Sequence, residues 1–562
     1  MAFLASAGTM SGVGRISFNV LKKEKPCKDF SFFRFIRENF LKAAYRSLFL
    51  ATITKTKRSG KMAKILIIGG GVSGLSAGIY AQMSGHQAII CEKHKITGGN
   101  LTGWQRGDYH IDNCIHWLTG TNKHTDTYKM WEELGALGNV NVIQHETLFT
   151  CEKDGKKLSL NKDLYKTERD MLEISPEDKK EIRALIRATE TMQHLCSIGG
   201  ERHNEGLSPI EKALKYPALL KYFNMTTGEL AATFSHPTLR FFIGSLLGED
   251  FGAIALIVVF AIFCGENGGL PEGGSLEMAK RMEARLRSLG GEIKTNKEAT
   301  KINIRDGKAY SVSFSDGDEI EADYVILTAA PDAIFGKMLQ YPMPKSLKKL
   351  YDDPRFKVFS SIHCAFSCDI SALPFKGDLV FPTPHQHREL LQASVTVLRE
   401  FSHEKSFAPE GKTVLQSLCF CNEDTAKEII SLRQSDKARY NDFKREISNA
   451  FKKSIVEQLP ELDGKLNLLD VWTPATYRRY TNCESGAFMS FALPSRHMPI
   501  RVTNRIGGLS NAILATQWQQ LPGGLPIAAE GGKLAIETIN KMEAVTVKNP
   551  RRSPAYGRIY HN

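Results

Sequence analysis

Apolar residues form a strand-like run near residue 64 and then recur in a helical pattern. The segment from Lys64 to Ile68 reads KILII, which is typical of a buried strand. A glycine-rich stretch follows at 69–74, and the next twelve residues, rich in Ala, Leu and Ile, predict a helix that ends near Gly85. The run QAII predicts a second strand that closes with Glu92. This order is that of a βαβ unit.

The glycines of this loop stand where a dinucleotide needs them. Gly69 permits a tight turn, Gly71 lets the backbone approach a pyrophosphate, and Gly74 allows close packing of helix on strand. The positive end of the helix then faces the phosphates. Glu92 lies 18 residues after Gly74, where its carboxylate can accept hydrogen bonds from an adenosine ribose. The motif predicts dinucleotide binding and by itself fits NAD as well as FAD.

A second stretch, 269–331, predicts another helix and more strands. A Pro-x-Gly-Gly turn leads into an amphipathic helix that stops at Gly290-Gly291. Asp306-Gly307 and Asp316-Gly317 are predicted hairpin turns between alternating strands. Asp323 to Thr328 then predicts a third buried strand of the nucleotide sheet.

A third stretch, 511–539, repeats the order of strand, glycine turn and helix. We expect a strand that ends at Thr516, a phosphate-facing turn at Gly523-Gly524 and a helix from about Pro526. The positive N-terminal end of that helix would point toward the bound cofactor. No second strand-GxGxxG-helix unit follows, which argues against a flavoenzyme with a separate nicotinamide domain.

The extension EKHKITGGN, which carries Glu92 into a second glycine pair, resembles the phytoene desaturases, carotenoid isomerases and retinol saturases of the flavin amine oxidase superfamily. The resemblance implies non-covalent FAD and an α/β fold, in which a Rossmann-like FAD-binding domain of the GR2 type is interleaved with an α+β substrate domain. Asn100 replaces the usual arginine after the glycines, and Gln517 replaces the usual acid on the ribityl hydroxyls. The predicted cofactor residues are Gly69, Gly70, Gly71, Val72, Ser73, Gly74, Glu92, Lys93, Gly98, Gly99, Asn100, Ala299, Gln517, Gly524, Leu525 and Pro526.

The resemblance divides the chain into alternating cofactor and substrate segments. Two insertions between the cofactor blocks should fold together as the substrate lobe, the first of them helical with apolar patches. Its run from Phe251 to Cys264 is too short to span a membrane and is read as a buried helix or a tunnel lining. The predicted segments are a basic extension 1–61, FAD-binding parts 62–117, 266–334 and 506–542, substrate-lobe parts 118–265 and 335–505, and a basic tail 543–562.

His116 and Trp518 are the catalytic candidates. Asp112 matches the acid of a family turn near the isoalloxazine, and His116 follows it; the alternative is a structural histidine. Trp518 stands beside Gln517 and could pack on the flavin ring or in the core. Cys483 could form a flavin thioether. Its surroundings, YRRYTNCESGAF, offer Tyr477, Arg478, Tyr480 and Glu484 as further candidates, but are read as an ordinary sheet with satisfied charges.

The distribution of charge and the cysteine content limit the functional classes to which the protein can belong. The formal charge of +13 lies at the ends, because residues 1–61 hold thirteen Lys or Arg against three acids and 543–562 hold four against one. The remaining body is neutral, so nucleic-acid binding is not predicted. The eleven cysteines include no CxxC pair, which favours a reduced, intracellular protein without a metal site.

Residues 1–61 leave the location of the protein open. Phe32, Ile36, Phe40, Ala44 and Leu48 permit a basic amphipathic helix, either on a membrane surface or in an organelle presequence. The alternative is a disordered extension or an upstream start that is not native, because Met62 directly precedes the first strand. The expectation is a cytoplasmic protein, with peripheral membrane contact or organelle import as alternatives.

The resemblance implies an FAD-dependent oxidoreductase that desaturates, saturates or isomerises carbon–carbon bonds of a polyene or related lipid. Its partners would be a hydrophobic small-molecule substrate and an electron donor or acceptor of unassigned type. A flavin amine oxidase or protoporphyrinogen-type oxidase is the first alternative. A non-catalytic lipid-binding flavoprotein is the second.

Overall fold

The computed structural model describes residues 62–197, 216–391, 393–496 and 502–543. The helix predicted within 1–61 and nearly all of the basic tail lie outside the described residues. The helices are α1 Val72–Met83, α2 Asp126–Glu133, α3 Leu164–Ile174, α4 Lys179–Ser197, α5 Pro217–Phe223, α6 Thr227–Ala231, α7 Pro237–Ser245, α8 Ala253–Cys264, α9 Gly274–Ser288, α10 Pro331–Ala333, α11 Lys345–Asp352, α12 His385–Leu391, α13 Glu423–Ser435, α14 Lys437–Gln458, α15 Pro474–Thr481 and α16 Leu525–Glu543.

The strands, numbered in chain order, form two large sheets and three small ones. They are β1 Lys64–Ile68, β2 Gln87–Cys91, β3 Gly103–Arg106, β4 Tyr109–Asp112, β5 Leu118–Thr119, β6 Val142–Ile143, β7 Thr147–Lys153, β8 Lys156–Asn161, β9 Gly268–Pro271, β10 Glu292–Lys294, β11 Ala299–Arg305, β12 Lys308–Phe314, β13 Glu319–Glu321, β14 Tyr324–Leu327, β15 Ser360–Asp369, β16 Asp378–Pro382, β17 Val395–Glu400, β18 Lys412–Cys421, β19 Asn467–Trp472 and β20 Ala512–Leu514.

A five-stranded parallel sheet in the order β10-β2-β1-β14-β20 joins distant parts of the chain. Its central strands are buried on both faces, which explains why their sequences are apolar without alternation. On one face α1 packs against α16 so closely that a Cβ on Gly532 would lie 2.4 Å from the Ser73 carbonyl oxygen. The small sheet β11-β12-β13 covers the other face through residues such as Val312. The predicted α/β fold is therefore confirmed.

Local predictions in these segments agree with the observed elements. The hairpin turns predicted at Asp306-Gly307 and Asp316-Gly317 connect the antiparallel pairs β11-β12 and β12-β13. Both residues of the first turn have positive φ, 51° and 70°, as a tight hairpin requires. The last strand ends at Leu514, two residues before the predicted end, and α16 begins at Leu525.

The second large sheet has the order β19-β15-β18-β17-β16-β7-β8 and takes strands from both insertions. One face packs on α13 and α14, where Cys364 and Phe366 meet Ile429 and Phe451. The prediction that the first insertion is helical was incomplete, because the hairpin β7-β8 extends this sheet through the parallel pair β7-β16. The hairpin residues alternate in burial, so a strand period was present in that sequence.

The apolar run near residue 260 forms α8, which confirms a buried helix. Its side chains pack with those of α4, α5 and α7 in one cluster that includes Phe242 and Phe260. Among the described residues, no helix combines the length and the hydropathy that a membrane crossing requires.

Candidate functional site

The loop 69–74 joins the end of β1 to the start of α1 in the geometry that the glycine pattern predicted. Gly69 has φ of 105°, and a Cβ on Gly74 would lie 2.0 Å from the Gly69 carbonyl oxygen. Gly71 is the N-cap of α1 and has no side chain that could accept a hydrogen bond. The backbone N–H groups of the first helical turn, which begins with Val72 and Ser73, are therefore left for another acceptor. The loop is therefore shaped for a close approach of an anionic group.

Glu92 lies at the end of β2, beside this loop. One carboxylate oxygen accepts a hydrogen bond from the Gly70 N–H at 2.7 Å, and the other accepts one from the His94 N–H at 2.8 Å. The side chain is buried, and each oxygen retains a further lone pair. Such a carboxylate can accept additional hydrogen bonds from hydroxyl groups of a ribose.

The second glycine pair lies directly on the first loop. The Gly98 N–H donates to the Gly70 carbonyl oxygen at 2.8 Å, and Gly98 pairs with Gly71 in a parallel bridge. A Cβ on Gly99 would lie 3.2 Å from the Gly71 Cα atom. Both residues of the pair have positive φ, so larger side chains would strain the backbone as well as fill the space.

Two amides from distant segments meet on one carbonyl oxygen. The Asn100 Nδ2 atom donates to the Phe488 carbonyl at 3.1 Å, and the Gln517 Nε2 atom donates to the same oxygen at 3.3 Å. Gln517 also accepts a hydrogen bond from the Gly524 N–H at 3.0 Å, just before Leu525 and Pro526 begin α16. The first and third predicted cofactor blocks are thus brought together by residues that replace family charges with amides.

Two other predicted cofactor residues lie at the margin of this region. The Lys93 ammonium donates to the Arg479 carbonyl and to Asn482, so it is held by the end of α15, and burial lowers its pKa. Ala299 begins β11, two residues after Lys297, whose N–H donates to the Glu92 carbonyl oxygen. Ala299 therefore follows a backbone contact with Glu92, whereas Lys93 is already paired with protein atoms.

The polar face of the seven-stranded sheet packs against residues 112–117. Buried Arg399 pairs with Asp378 at 3.1 Å and donates to the carbonyl oxygen of Ile115 at 3.3 Å. Gln416, its neighbour on the next strand, donates to the Asp112 carbonyl at 2.9 Å. This face fixes the backbone of the segment that carries His116.

The side chains of Asp112 and His116 have different surroundings. The Asp112 carboxylate accepts hydrogen bonds from the Ser275 N–H and hydroxyl, both at 2.6 Å, so it anchors the start of α9. Burial, and then the positive charge of Arg399, lower the pKa of His116 well below its usual value. His116 is therefore neutral at physiological pH, and its catalytic role stays a prediction.

A buried hydrogen-bond network near residue 113 was missed by the sequence reasoning. His363 Nε2 lies 2.7 Å from the Ser361 hydroxyl and 3.2 Å from the Tyr477 hydroxyl, which donates to Asn113 at 3.1 Å. The His363 ring stacks on Trp472 with centroids 4.6 Å apart, and burial lowers its pKa to about 3. Its Nδ1 atom has no partner among the described residues. The signal was the alternation in SSIHCAFSC, which puts Ser361 and His363 on one face.

The remaining candidates occupy packed positions. Trp518 is buried and stacks on Tyr351 with centroids 5.8 Å apart, which is the core-packing alternative; contact with the flavin stays untested. Burial raises the pKa of the Cys483 thiol to about 12, so the thiol is protonated. The predicted sheet around Tyr477 was wrong: Tyr477 to Thr481 belong to α15, whose start has a capping box and Pro474 at its first position. The charges are satisfied, since Arg478 pairs with Glu484 at 2.7 Å.

Comparison with known proteins agrees with this geometry. The family model described as flavin containing amine oxidoreductase matches residues 72–540. The chain belongs to this family. It is 24% identical over 446 residues to a chloroplastic prolycopene isomerase of Daucus carota, covering 75% of this chain and 71% of that protein. It is 25% identical over 354 residues to a 15-cis-phytoene desaturase of Arabidopsis thaliana, covering 57% of each.

Solved structures show the same fold. An oxidoreductase from Methanosarcina mazei superposes with a TM-score of 0.54 at 17% identity, covering 84% of this chain and 100% of its own. Cyclohexylamine oxidase from Brevibacterium oxydans gives a TM-score of 0.53 at 13% identity, covering 86% and 99%. At such low sequence identity, these likenesses show a shared fold alone.

This flavin-containing oxidoreductase is an FAD-dependent enzyme, and its residues fit that cofactor. The fit rests on three observations: a glycine cradle that any Cβ would fill, an uncapped helix start, and a buried carboxylate with free lone pairs at the end of β2. These are the features that pyrophosphate and ribose groups require.

Replacing Gln517 with Leu should weaken FAD binding by roughly 30-fold, because two hydrogen bonds of about 1 kcal/mol each, to the Phe488 carbonyl and from the Gly524 N–H, would be lost. Fluorescence titration of the apoprotein with FAD would measure the change. Gln386→Leu is the control, since among the described residues the Gln386 side chain hydrogen-bonds to the exposed Glu457 side chain alone. Equal FAD affinity in the Gln517 and Gln386 variants would contradict a role for Gln517 at the cofactor.

Proposed function

We propose that this enzyme desaturates, saturates or isomerises carbon–carbon bonds of a polyene or related isoprenoid lipid. The observation that carries the proposal is the likeness, over three quarters of the chain, to an enzyme named for prolycopene isomerisation. The 15-cis-phytoene desaturase likeness supports the same substrate class. The predicted cofactor residues would hold FAD, and the polar face of the seven-stranded sheet would close the site.

An aromatic row beside the predicted cofactor residues supports a conjugated substrate. It consists of Phe420, Phe488 and Tyr477. Phe488 lies between the other two, with centroid distances of 6.1 Å to Phe420 and 6.2 Å to Tyr477. Phe420 is 36% exposed, whereas the other residues of its strand after Lys412 are buried. A flat hydrocarbon chain would gain stacking and apolar burial on such a row.

The protein groups around this row suit chemistry that begins at a carbon–hydrogen bond. Flavin supplies the hydride acceptor or donor that no side chain can provide. His116 and His363 are both kept neutral by burial and by Arg399, so neither brings a charge into the site. The contribution of the chain is to position an apolar substrate and exclude water, as a hydride transfer requires.

The proposal also includes the place from which the enzyme takes its substrate. A long isoprenoid resides in membranes, so the enzyme would contact a membrane peripherally to collect it. Several relatives are named as chloroplastic, which supports organelle import as one location. Flotation with liposomes of neutral and anionic composition tests the membrane contact, and enzyme that stays at the bottom of the gradient in both cases would contradict it.

The test of the proposed function is anaerobic flavin spectroscopy on the FAD-loaded full chain. We expect one of three polyenes (phytoene, prolycopene or retinol) to bleach the oxidised flavin, to reoxidise the dithionite-reduced flavin, or to be isomerised by the reduced enzyme. Chromatography with mass spectrometry identifies the product and any lipid that co-purifies. Bleaching by amines such as benzylamine, with no response to polyenes, would contradict the proposal and favour the amine oxidase alternative.

A further inference from the structure

A cavity of about 350 Å³ lies outside the predicted cofactor residues. It is bounded by α10, α11, α13 and α15 and by the segments around Val358 and Phe491. This volume is within the range of small-molecule sites. Two properties of its lining define what it can bind: its aromatic rings and its charges.

Three aromatic side chains make one wall of this cavity. The Tyr351 and Phe491 rings are edge to face, with centroids 5.0 Å apart and an interplanar angle of 84°. The Phe356 and Phe491 rings are 6.3 Å apart at 73°. Phe356 and Phe491 are buried, whereas Tyr351 is 37% exposed. All three residues line the cavity, and a cation that contacts the face of such a ring is attracted by its quadrupole.

The cations of the lining are already paired. Lys427 lies 2.9 Å from Glu423 in an i,i+4 pair on α13. Arg478 lies 2.7 Å from Glu484, which also pairs with Lys337 at 2.6 Å. Within the lining itself, Lys427 and Arg478 are matched by Glu423 and Glu484, so the third lining carboxylate, Asp332, is not offset by a lining cation.

Asp332 differs from the other charged groups of the cavity. Its carboxylate accepts hydrogen bonds from the N–H groups of Ala333 and Glu484, both at 2.8 Å, which fix its orientation. Among the described residues it has no ion pair. Burial raises the pKa of this carboxyl, and the two backbone hydrogen bonds and the charge of Lys337 only partly oppose the rise. A carboxylate in this setting gains from a cation placed beside it.

The geometry points to this cavity as a binding site for an organic monocation, an amine or quaternary ammonium group carried on a small apolar body. The cation would lie between the Asp332 carboxylate and the aromatic wall, where charge attraction and cation–π contacts act together. The apolar body would contact Val358 and Ile430. This inference is independent of the polyene proposal.

Binding is tested with two probes of the same shape and different charge, 3-(trimethylammonio)phenol and 3-tert-butylphenol, by calorimetry on the FAD-loaded full chain. We expect the cation to bind at least tenfold more tightly than the neutral probe. Asp332→Asn should remove that preference, and Phe356→Leu should weaken the cation severalfold while the carboxylate remains. Asp352→Asn, which changes an exposed carboxylate paired with Lys348, is the matched control.

Acidification provides a second readout. Because the pKa of Asp332 is raised, its protonation should weaken cation binding at a higher pH than an ordinary carboxyl would, and Asp332→Asn should lose this dependence. Flavin absorbance and thermal melting confirm that each variant is folded and loaded. Equal binding of the two probes, or an Asp332→Asn protein with unchanged cation affinity, would overturn the inference.

Discussion

Gly74→Ala is expected to abolish stable FAD loading. The added Cβ would lie 2.0 Å from the Gly69 carbonyl oxygen and 3.1 Å from its carbonyl carbon, and neither backbone atom can yield without moving the loop. The start of α1 would then be displaced from the phosphate position. Each hydrogen bond to a charged group contributes about 1.5–3 kcal/mol, so losing one or two predicts roughly 100-fold weaker FAD binding.

The measurement is the flavin content of purified protein, followed by titration of the apoprotein with FAD. Gly336→Ala is the matched control, because its Cβ would meet no atom of the described chain within 4 Å and its φ is not positive. Circular dichroism separates lost cofactor from lost fold. A yellow Gly74→Ala protein with the FAD affinity of the Gly336→Ala protein would show that the loop does not bind the phosphates.

Elements with a strong local period could be predicted from the sequence. The strand from Lys64 to Ile68 was predicted with its observed bounds, because an apolar run bounded by a glycine loop has few alternatives. The turns at Asp306-Gly307 and Asp316-Gly317 were equally local, since the backbone conformation is set by two residues. These features depend on neighbours in the chain, which the sequence shows directly.

The helix α15 shows where sequence reasoning overlooked an available signal. Aromatic and charged residues suggested a sheet, although Thr473 and Pro474 form a helix start, with the threonine hydroxyl accepting the Ala475 N–H. Asn482, in the left-handed region with φ of 59°, ends the helix. The capping residues outweighed the strand propensity of tyrosine.

The polar side of the site could not be predicted because it depends on pairing between distant strands. Asp378 pairs with Arg399 across β16 and β17, and Gln416 lies opposite Arg399 across the next pair of strands. The sequence near His116 contains no pattern that predicts a contact between its carbonyl oxygen and the Arg399 guanidinium, 283 residues away. His116 was therefore identified by resemblance, while the contact of Arg399 with this segment became visible only once the sheet register was known.

Arg399→Met should destabilise the protein by about 3 kcal/mol at neutral pH, because it leaves the Asp378 carboxylate, whose side chain is only 20% exposed, without its cation. Two effects combine in this loss. Asp378 becomes a desolvated, unpaired charge, and the carbonyl oxygens of Ile115 and His116 lose their donor. Urea unfolding of the FAD-loaded variant, with flavin and tryptophan signals recorded separately, measures the change.

The pH dependence of this variant separates the two effects. Burial already raises the pKa of Asp378 while Arg399 opposes the rise, so removing the guanidinium raises the pKa further. A carboxyl whose folded pKa exceeds its unfolded value of about 4 binds more protons when folded, and stability falls as pH rises through that interval. Arg399→Met should therefore lose more stability at pH 8 than at pH 5. Adding Asp378→Asn should remove this dependence and restore most of the loss at pH 8, because only the carbonyl contacts remain broken; equal destabilisation of single and double variants at both pH values would contradict a buried charge as the cause.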